Sequence, residues 1–335
     1  MKILFISPNP IFGGAATANM SIAKLLKDNG YDVIYNDEYF LQEHYENLTI
    51  DHTYLHLYKR DKKYFWDFIR RVHPDVIIWT QIIAIFYYFE LSKLKELNIK
   101  QICIVHSLSL TQNLFGKLSD ILTSLCLRKM DSVICVSEYT RLSWVGKILL
   151  KNLSNIFYVI PNIISKSPMH CPSNQKLCIG FVGRFSEEKQ PELFCKLSGI
   201  DLEHRYIAFG CGPMLNPLKQ KYKKVCFRGQ CNIVDDIYSN IDILVMTSKF
   251  ENCPMVILEA ESRGIPCVAP NVGGIGEIVH NGVDGILYEQ YNEIDILQAI
   301  IEVERDYQMF SKNAYQNSKR FLPDNIINLW NKVIM

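Results

Sequence analysis

Two hydrophobic periods alternate along this chain. Short runs rich in Val, Ile, Phe and Tyr predict strands, and the longer stretches between them, with apolar residues spaced by three and four, predict helices. In the first half the strand runs are KILFIS, YDVIY, DVIIWT, QICIVH, DSVICVS and IFYVI, and ATANMSIAKLLKDNG is a helical stretch stopped by Gly30. The pattern breaks at Pro161-Asn162 and the polar stretch SKSPMHCPSNQK. It restarts with LCIGFVG, RYIAFG, KVCFRG, DILVMT and IPCVAP. Such alternation predicts an α/β protein with two Rossmann-like, doubly wound parallel-sheet domains, 1–165 and 170–310, facing a central cleft, and a linker at about 161–176. In sheets of this kind ligands sit beyond the carboxyl ends of the strands, so the loops that follow strands are where chemistry is expected.

Composition narrows the class. A chain of 335 residues that is 48% hydrophobic has the material for two full cores. The formal net charge of +1 carries no footprint for nucleic acid, which is not expected as a partner. Eleven cysteines, an odd number with no C-x-x-C pair, argue against a disulfide framework or a zinc knuckle. Cys103, Cys135, Cys178 and Cys267 sit in strand-like runs and read as small core residues. The apolar run of MKILFISPNP is too short for a signal peptide, and no uncharged run reaches the roughly eighteen residues of a membrane span. A reducing cytoplasm is the expected location. Two basic segments complicate that: YKRDKKYFWDFIRRV at 58–72 and RLSWVGKILLKNL at 141–153. Each reads either as a solvated helix with its apolar side in the core, or as a surface that contacts a membrane interface.

Several loops carry candidate chemistry. Gly13-Gly14 follows the first strand and opens a helix, a place where backbone amides can approach an anion or simply form a turn. In GFVGRFSEEKQPELF a strand ends at Gly183, Arg184 follows at once, and Lys189 comes five residues later. Two cations at a strand's carboxyl end suit a diphosphate; the plainer reading is an ion pair with Glu187 or Glu188. AFGCGPM, 208–214, lacks the third glycine of a dinucleotide fingerprint and reads as a tight strand-to-helix turn. In ENCPMVILEAESRG, Asn252 can cap a helix whose first turn holds Pro254 and whose end is Gly264. Glu251 then stands just before that helix and Glu259 on it. Asp235-Asp236 reads as a helix cap rather than a metal motif, and His52 and His56 have metal-like spacing without an evident third ligand.

Taken together and in order, these segments resemble one family. Gly13-Gly14, His106 after QICIV, VSEYTR at 136–141, VIPN at 159–162, GRFSEEK from Gly183, FGCGPM, FRG at 227–229, the E-x7-E block from Glu251 to Glu259, NVGGIGEIV and NGVDGILY are similar to the GT-B retaining glycosyltransferases of family 4. The resemblance covers nearly the whole chain. It implies the GT-B fold, with 1–165 binding the acceptor, 170–310 binding the nucleotide sugar, and a C-terminal helix at 311–335, including Trp330, crossing back to the first domain. It implies that Arg184 and Lys189 hold the donor diphosphate, Glu259 the ribose hydroxyls and Glu251 the donor-sugar hydroxyls. Gly13, Gly14 and the amides of Cys253, Met255 and Val256 would complete donor binding, with His106 at the donor sugar. Pro254 stands where many members have glycine, and Asn252-Cys253 replaces a more usual Gly-Phe.

The activity implied is metal-independent hexosyl transfer with retention, without a cofactor. The donor would be a nucleotide sugar, first a UDP-sugar and next GDP-mannose. A glycan or polyprenyl-linked acceptor used in surface polysaccharide synthesis (lipopolysaccharide or capsule) would suit a peripheral place on the cytoplasmic membrane face. Two other classes compete: a non-catalytic GT-B protein that binds a nucleotide or glycan, and a nicotinamide oxidoreductase. The presence of Arg184, Lys189, Glu251 and Glu259 together weighs against the first, and the incomplete glycine fingerprint against the second.

Overall fold

Strands form where β-branched runs can be buried on both faces, and the inner strands of the two sheets are built that way. The computed structural model describes residues 1–7, 14–37, 51–53, 62–80, 84–108, 114–172 and 176–335. The chain divides into two units, 1–163 with 323–335, and 164–322.

In the first unit the elements are β1 (Lys2–Ser7), α1 (Gly14–Asp28), β2 (Asp32–Asp37), β3 (Asp51–Thr53), α2 (Lys62–Val72), β4 (Val76–Trp79) and α3 (Ala84–Glu96). They continue as β5 (Lys100–Val105), α4 (Leu114–Leu127), β6 (Ser132–Cys135), α5 (Glu138–Val145) and β7 (Phe157–Val159). Among the described residues these strands make a parallel sheet in the order β3-β2-β1-β4-β5-β6-β7. Alternate strand residues Leu4, Ile6, Ile77, Trp79, Cys103 and Val105 enter one core with Phe65, Phe68, Ile69 and Val72 of α2. Of the basic 58–72 segment, residues 58–61 lie outside the described residues; in α2 Phe65 and Phe68 are core, Trp66 packs against it, and Lys62, Lys63, Arg70 and Arg71 are exposed. Burying each such Phe contributes roughly 1.5–3 kcal/mol. The 141–153 segment is divided: Trp144 and Leu150 are buried, while Leu142 and Ile148 are 56% and 93% exposed.

The second unit holds β8 (Cys178–Val182), α6 (Pro191–Ile200), β9 (Arg205–Phe209), α7 (Leu215–Lys221), β10 (Val225–Gly229), α8 (Val234–Tyr238) and β11 (Ile243–Val245). After these come α9 (Met255–Glu261), β12 (Cys267–Pro270), β13 (Gly285–Tyr288), α10 (Glu293–Arg305) and α11 (Tyr307–Ser318). Its parallel sheet runs β10-β9-β8-β11-β12-β13. The short strands β3 and β13 lie at the edges of their sheets, outside the apolar runs that predict the other strands.

The last segment differs from the expected 311–335 helix. Residues 311–322 belong to the second unit, and α12 (Pro323–Ile334) returns to the first. The apolar stripe Ile326, Ile327, Trp330, Val333 and Ile334 is buried. Asn331 accepts a 2.9 Å hydrogen bond from Tyr31, and the Ile334 carbonyl accepts one from Lys100. All eleven cysteines are free thiols, with Cys103, Cys135, Cys178 and Cys267 buried in strands. Among the described residues no helix is long and apolar enough to cross a membrane.

Candidate functional site

The second sheet reverses its winding between β8 and β11, which leaves a crevice beyond their carboxyl ends. The loops leaving these two strands meet there. Lys189 Nζ lies 2.6 Å from Glu251 Oε1, and the Ser248 hydroxyl donates to the same oxygen at 2.8 Å. Glu188 stands 3.6 Å from the ammonium, a looser contact. The Thr247 hydroxyl lies 2.7 Å from the Lys189 carbonyl and 2.9 Å from that of Gln190, and the Lys249 amide donates to the Glu188 carbonyl. Each loop thus fixes the backbone of the other. Arg184, on the β8 loop, is exposed, and its side chain has no hydrogen bond or ion pair among the described residues.

Glycines make these approaches feasible. Gly210 has φ +130°, and a Cβ there would lie 1.9 Å from the Gly183 carbonyl oxygen. The AFGCGPM run is the expected strand-to-helix turn, laid against the loop that carries Arg184: Phe185 donates to the Cys211 carbonyl and accepts from the Met214 amide. On the other side Gly273, at φ +60°, leaves room for the Glu251 carbonyl; a Cβ would lie 1.8 Å from it. The Gly274 amide donates to that same carbonyl at 3.0 Å. The NVGG motif is therefore a clamp on the backbone of Glu251.

Helix α9 starts later than its cap signal suggests. Pro254, extended at ψ 119°, is the residue before the helix, and Asn252 is not its cap. The proline ring disfavours the helical conformation for Cys253 before it, and Pro254 is itself extended, so the chain turns helical at Met255. Met255 and Val256 are the first two helical residues, ahead of the first amide bonded within the helix, and Cys253 is buried. Glu259 lies on α9, and its carboxylate is reached by Tyr238 at 2.9 Å; the same hydroxyl lies 3.1 Å from the Val256 carbonyl. Burial raises the Glu259 pKa above the usual carboxylate range, and the Tyr238 hydrogen bond and nearby Arg263 oppose that rise. Asp235 and Asp236 fall in the first turn of α8 rather than at its cap. Asp235 instead pairs with Arg263, whose guanidinium lies 5.2 Å from the centre of the Tyr238 ring.

In the first unit His106 follows β5, and its Nε2 lies 2.8 Å from Oδ1 of the buried Asn19 on α1. An amide oxygen accepts, so Nε2 carries the proton and Nδ1 is the acceptor. Burial lowers the His106 pKa to about 4, and the ring is neutral near pH 7. Gly14 is the first residue of α1; Gly13 and His56 lie outside the described residues, and of His52 only its place in β3 is described.

Of the residues singled out in the sequence, Lys189 and Glu251 are thus brought into contact, while Arg184 shares the loop of Lys189 and Glu259 has a separate support. Sequence reasoning missed Thr247, Ser248, Tyr238 and Asn19. Thr247-Ser248 directly after the DILVM strand was a usable signal, because hydroxyls at that strand end face the switch point. Tyr238 and Asn19 lie in ordinary helical patterns that carry none.

Comparison with known proteins now bears on this site. The model of glycosyl transferases group 1 matches residues 169–320, and that of glycosyltransferase family 4 matches residues 12–165. The UDP-Gal:alpha-D-GlcNAc-diphosphoundecaprenol alpha-1,3-galactosyltransferase of Escherichia coli is 32% identical over 149 residues, 40% of this chain and 38% of that protein. The amylovoran biosynthesis glycosyltransferase AmsD of Erwinia amylovora is 24% identical over 96% of both chains. The crystal structure of Anabaena HepE in complex with UDP and glucose superposes with a TM-score of 0.82 at 19% identity, covering 100% of this chain and 99% of that one. The shared architecture is GT-B, with two Rossmann-like domains.

Proposed function

We propose, from the premise that this chain belongs to the group 1 and family 4 glycosyltransferases, that it moves a hexose, with retention, from a UDP-sugar to a glycan or lipid-linked acceptor. The observation that carries this reading is the Lys189–Glu251 contact at the switch point of the second sheet, with the unpaired Arg184 on the same loop. The reading is supported for the donor by the nucleotide bound to HepE, and for the acceptor class by the names of the E. coli and Erwinia relatives.

The chemistry follows from charge. As the bond between the anomeric carbon and the phosphate oxygen breaks, negative charge gathers on the diphosphate, and Arg184 and Lys189 are the groups proposed to receive it. Lysine has three protons to donate, so Lys189 can meet a phosphate oxygen while still holding Glu251. That would tie the sugar-binding carboxylate to the phosphate grip. Glu251 accepts from hydroxyls of the donor sugar, Glu259 from those of the ribose, and the amides of Cys253, Met255 and Val256 meet sugar and phosphate. In the proposed retaining step the acceptor oxygen bonds to the anomeric carbon on the face the phosphate leaves, and the acceptor proton passes to a phosphate oxygen. Charge neutralisation by side chains makes this reading metal-independent. The neutral His106, with Gly14 at the start of α1, is assigned to the donor sugar as a shaping group rather than a base. Exposed Leu142 and Ile148, with exposed Lys151 in the same segment, support peripheral contact with the cytoplasmic membrane face and a lipid-linked acceptor.

The test is a transfer assay with a panel of UDP- and GDP-sugars and polyprenyl-diphosphate-linked acceptors, with products identified by mass spectrometry. Turnover of a UDP-sugar with an α-linked product is expected. No turnover of any donor, together with UDP affinity unchanged in Arg184→Ala and Glu259→Ala, would overturn the site assignment.

A further inference from the structure

At the amino ends of the strands of the second sheet, the edge opposite the loops just described, lies a cavity of about 590 Å³. It is bounded by Cys178 at the start of β8, Arg205 at the start of β9, Lys224 just before β10, Arg228 within β10, and Asp242 just before β11. This volume is in the range of small-molecule sites, roughly 300–1,000 Å³.

The charges lining it are unevenly engaged. Asp242 spends both carboxylate oxygens inside the fold, one on His170 Nε2 at 2.7 Å and the other on the Cys178 amide at 2.7 Å. Asp201, on the same wall, is taken up by His204, Tyr206 and the Glu203 amide. The cations are different. The side chains of Arg205, Lys224 and Arg228 are exposed and have no hydrogen bond or ion pair among the described residues. Arg205 and Arg228 line this one cavity from the neighbouring parallel strands β9 and β10. A pocket whose acids are internally spent and whose cations converge without partners is electrostatically complementary to an anion. Two guanidiniums, each a planar fork of donors, match phosphate oxygens better than a carboxylate's two atoms would use them.

We propose that this cavity is a second ligand site, separate from the crevice beyond the carboxyl ends of the strands, and that it takes a small phosphate-bearing anion, a phosphomonoester or a diphosphate, through Arg205, Arg228 and Lys224. The inference does not rest on the donor reading, because none of its residues belongs to that site. It describes a place where a phosphorylated metabolite could bind without competing with the sugar nucleotide.

Cys226, exposed on the cavity wall, supplies a local readout. The full chain is alkylated with iodoacetamide at constant ionic strength, with and without inorganic pyrophosphate, and the rate at each cysteine is followed by mass spectrometry. Saturable protection of Cys226 is expected in the wild-type chain and in Arg184→Ala. In the double variant Arg205→Ala/Arg228→Ala, and separately in Lys224→Ala, the pyrophosphate concentration for half protection should rise by about tenfold or more, the loss of at least one charge-assisted hydrogen bond. These side chains are exposed, and a thermal melt confirms that each variant is folded. Cys211, exposed just after the carboxyl end of β9, reports on the other edge of the sheet. Absence of protection at millimolar pyrophosphate, or equal protection in wild type and variants, overturns the proposal. So does protection confined to Arg184-intact chains. A parallel arm replaces pyrophosphate by phosphatidylcholine vesicles containing phosphatidylglycerol; protection by vesicles alone would assign the cations to a lipid headgroup and overturn the small-anion site.

Discussion

Lys189 and Glu251, 62 residues apart in sequence, are joined by a 2.6 Å ion pair in which both side chains are mostly buried. A pair of this kind does more than a surface salt bridge, whose median contribution is only about 0–1 kcal/mol. It sets the position of one group by means of the other, and Ser248 holds the shared oxygen from a third direction.

If both residues act on one substrate as a unit, their losses will not multiply. Lys189→Ala and Glu251→Gln should each lower kcat/KM for transfer by roughly 10²–10³-fold, while the double variant should fall little further. Steady-state kinetics on the three proteins checks this. Fully multiplicative losses would mean that the ion pair is structural and that the two residues meet the donor independently.

The clamp on Glu251 makes Gly273 sensitive to a single methyl group. In Gly273→Ala the new Cβ would lie 1.8 Å from the Glu251 carbonyl at a backbone φ of +60°. A loss of about 2–4 kcal/mol in stability is expected, or a displaced Glu251 with transfer activity lost. A denaturant melt and an activity assay read these outcomes separately, and a variant unchanged in both would refute the clamp.

Tyr238 should tune the acid it supports. Burial raises the Glu259 pKa, and the hydrogen bond from Tyr238 pulls it part of the way back. The ionised carboxylate is the better acceptor for ribose hydroxyls, so UDP affinity should rise with pH and level off above the folded-state pKa. Stability runs the other way. A carboxyl with a raised folded pKa contributes stability that is present below its unfolded value and is lost as pH rises through the folded one. In Tyr238→Phe the affinity midpoint should move to higher pH. Calorimetric titration of UDP across the acid range tests it, and an unmoved midpoint would remove Tyr238 from this role.

His106 gives the opposite sign at acid pH. Its folded pKa, lowered to about 4 by burial, lies below the ordinary value of 6.5. Between these two values the unfolded chain binds the proton and the folded chain does not, so the wild type should lose stability as pH falls from 6.5 towards 4. His106→Gln removes that term and should flatten the Tm profile across this window relative to wild type. Parallel slopes in the two proteins would show that the ring is solvated and not held by Asn19.

The way the site was legible differs from residue to residue. Arg184 and Lys189 stood out because cations straight after a buried strand face the carboxyl end of a parallel sheet, whatever the rest of the chain does. The helix after Glu251 was visible, but its start was misplaced at Asn252, because Asn is a strong cap while the proline two residues later keeps the chain extended up to Met255. Neither β3, of three residues, nor β13, of four, has a long apolar run, so the periodic pattern did not mark them. Tyr238 was invisible for another reason: its meeting with Glu259 depends on how α8 packs on α9, and no local period encodes that.

The amino-acid sequence alone settled the alternation of strands and helices, the two-unit organisation and the identity of the charged residues at strand ends, because periodic burial and loop position are local properties. Tertiary structure decided the rest. It chose Glu251 as the partner of Lys189, gave the Glu251 backbone to Gly273 and the Glu259 carboxylate to Tyr238, and carried α12 back to the first unit. It also left Arg205, Lys224 and Arg228 gathered without counter-charges. Each of these depends on distances between segments remote in the chain, which sheet order and packing fix and which composition and spacing do not contain.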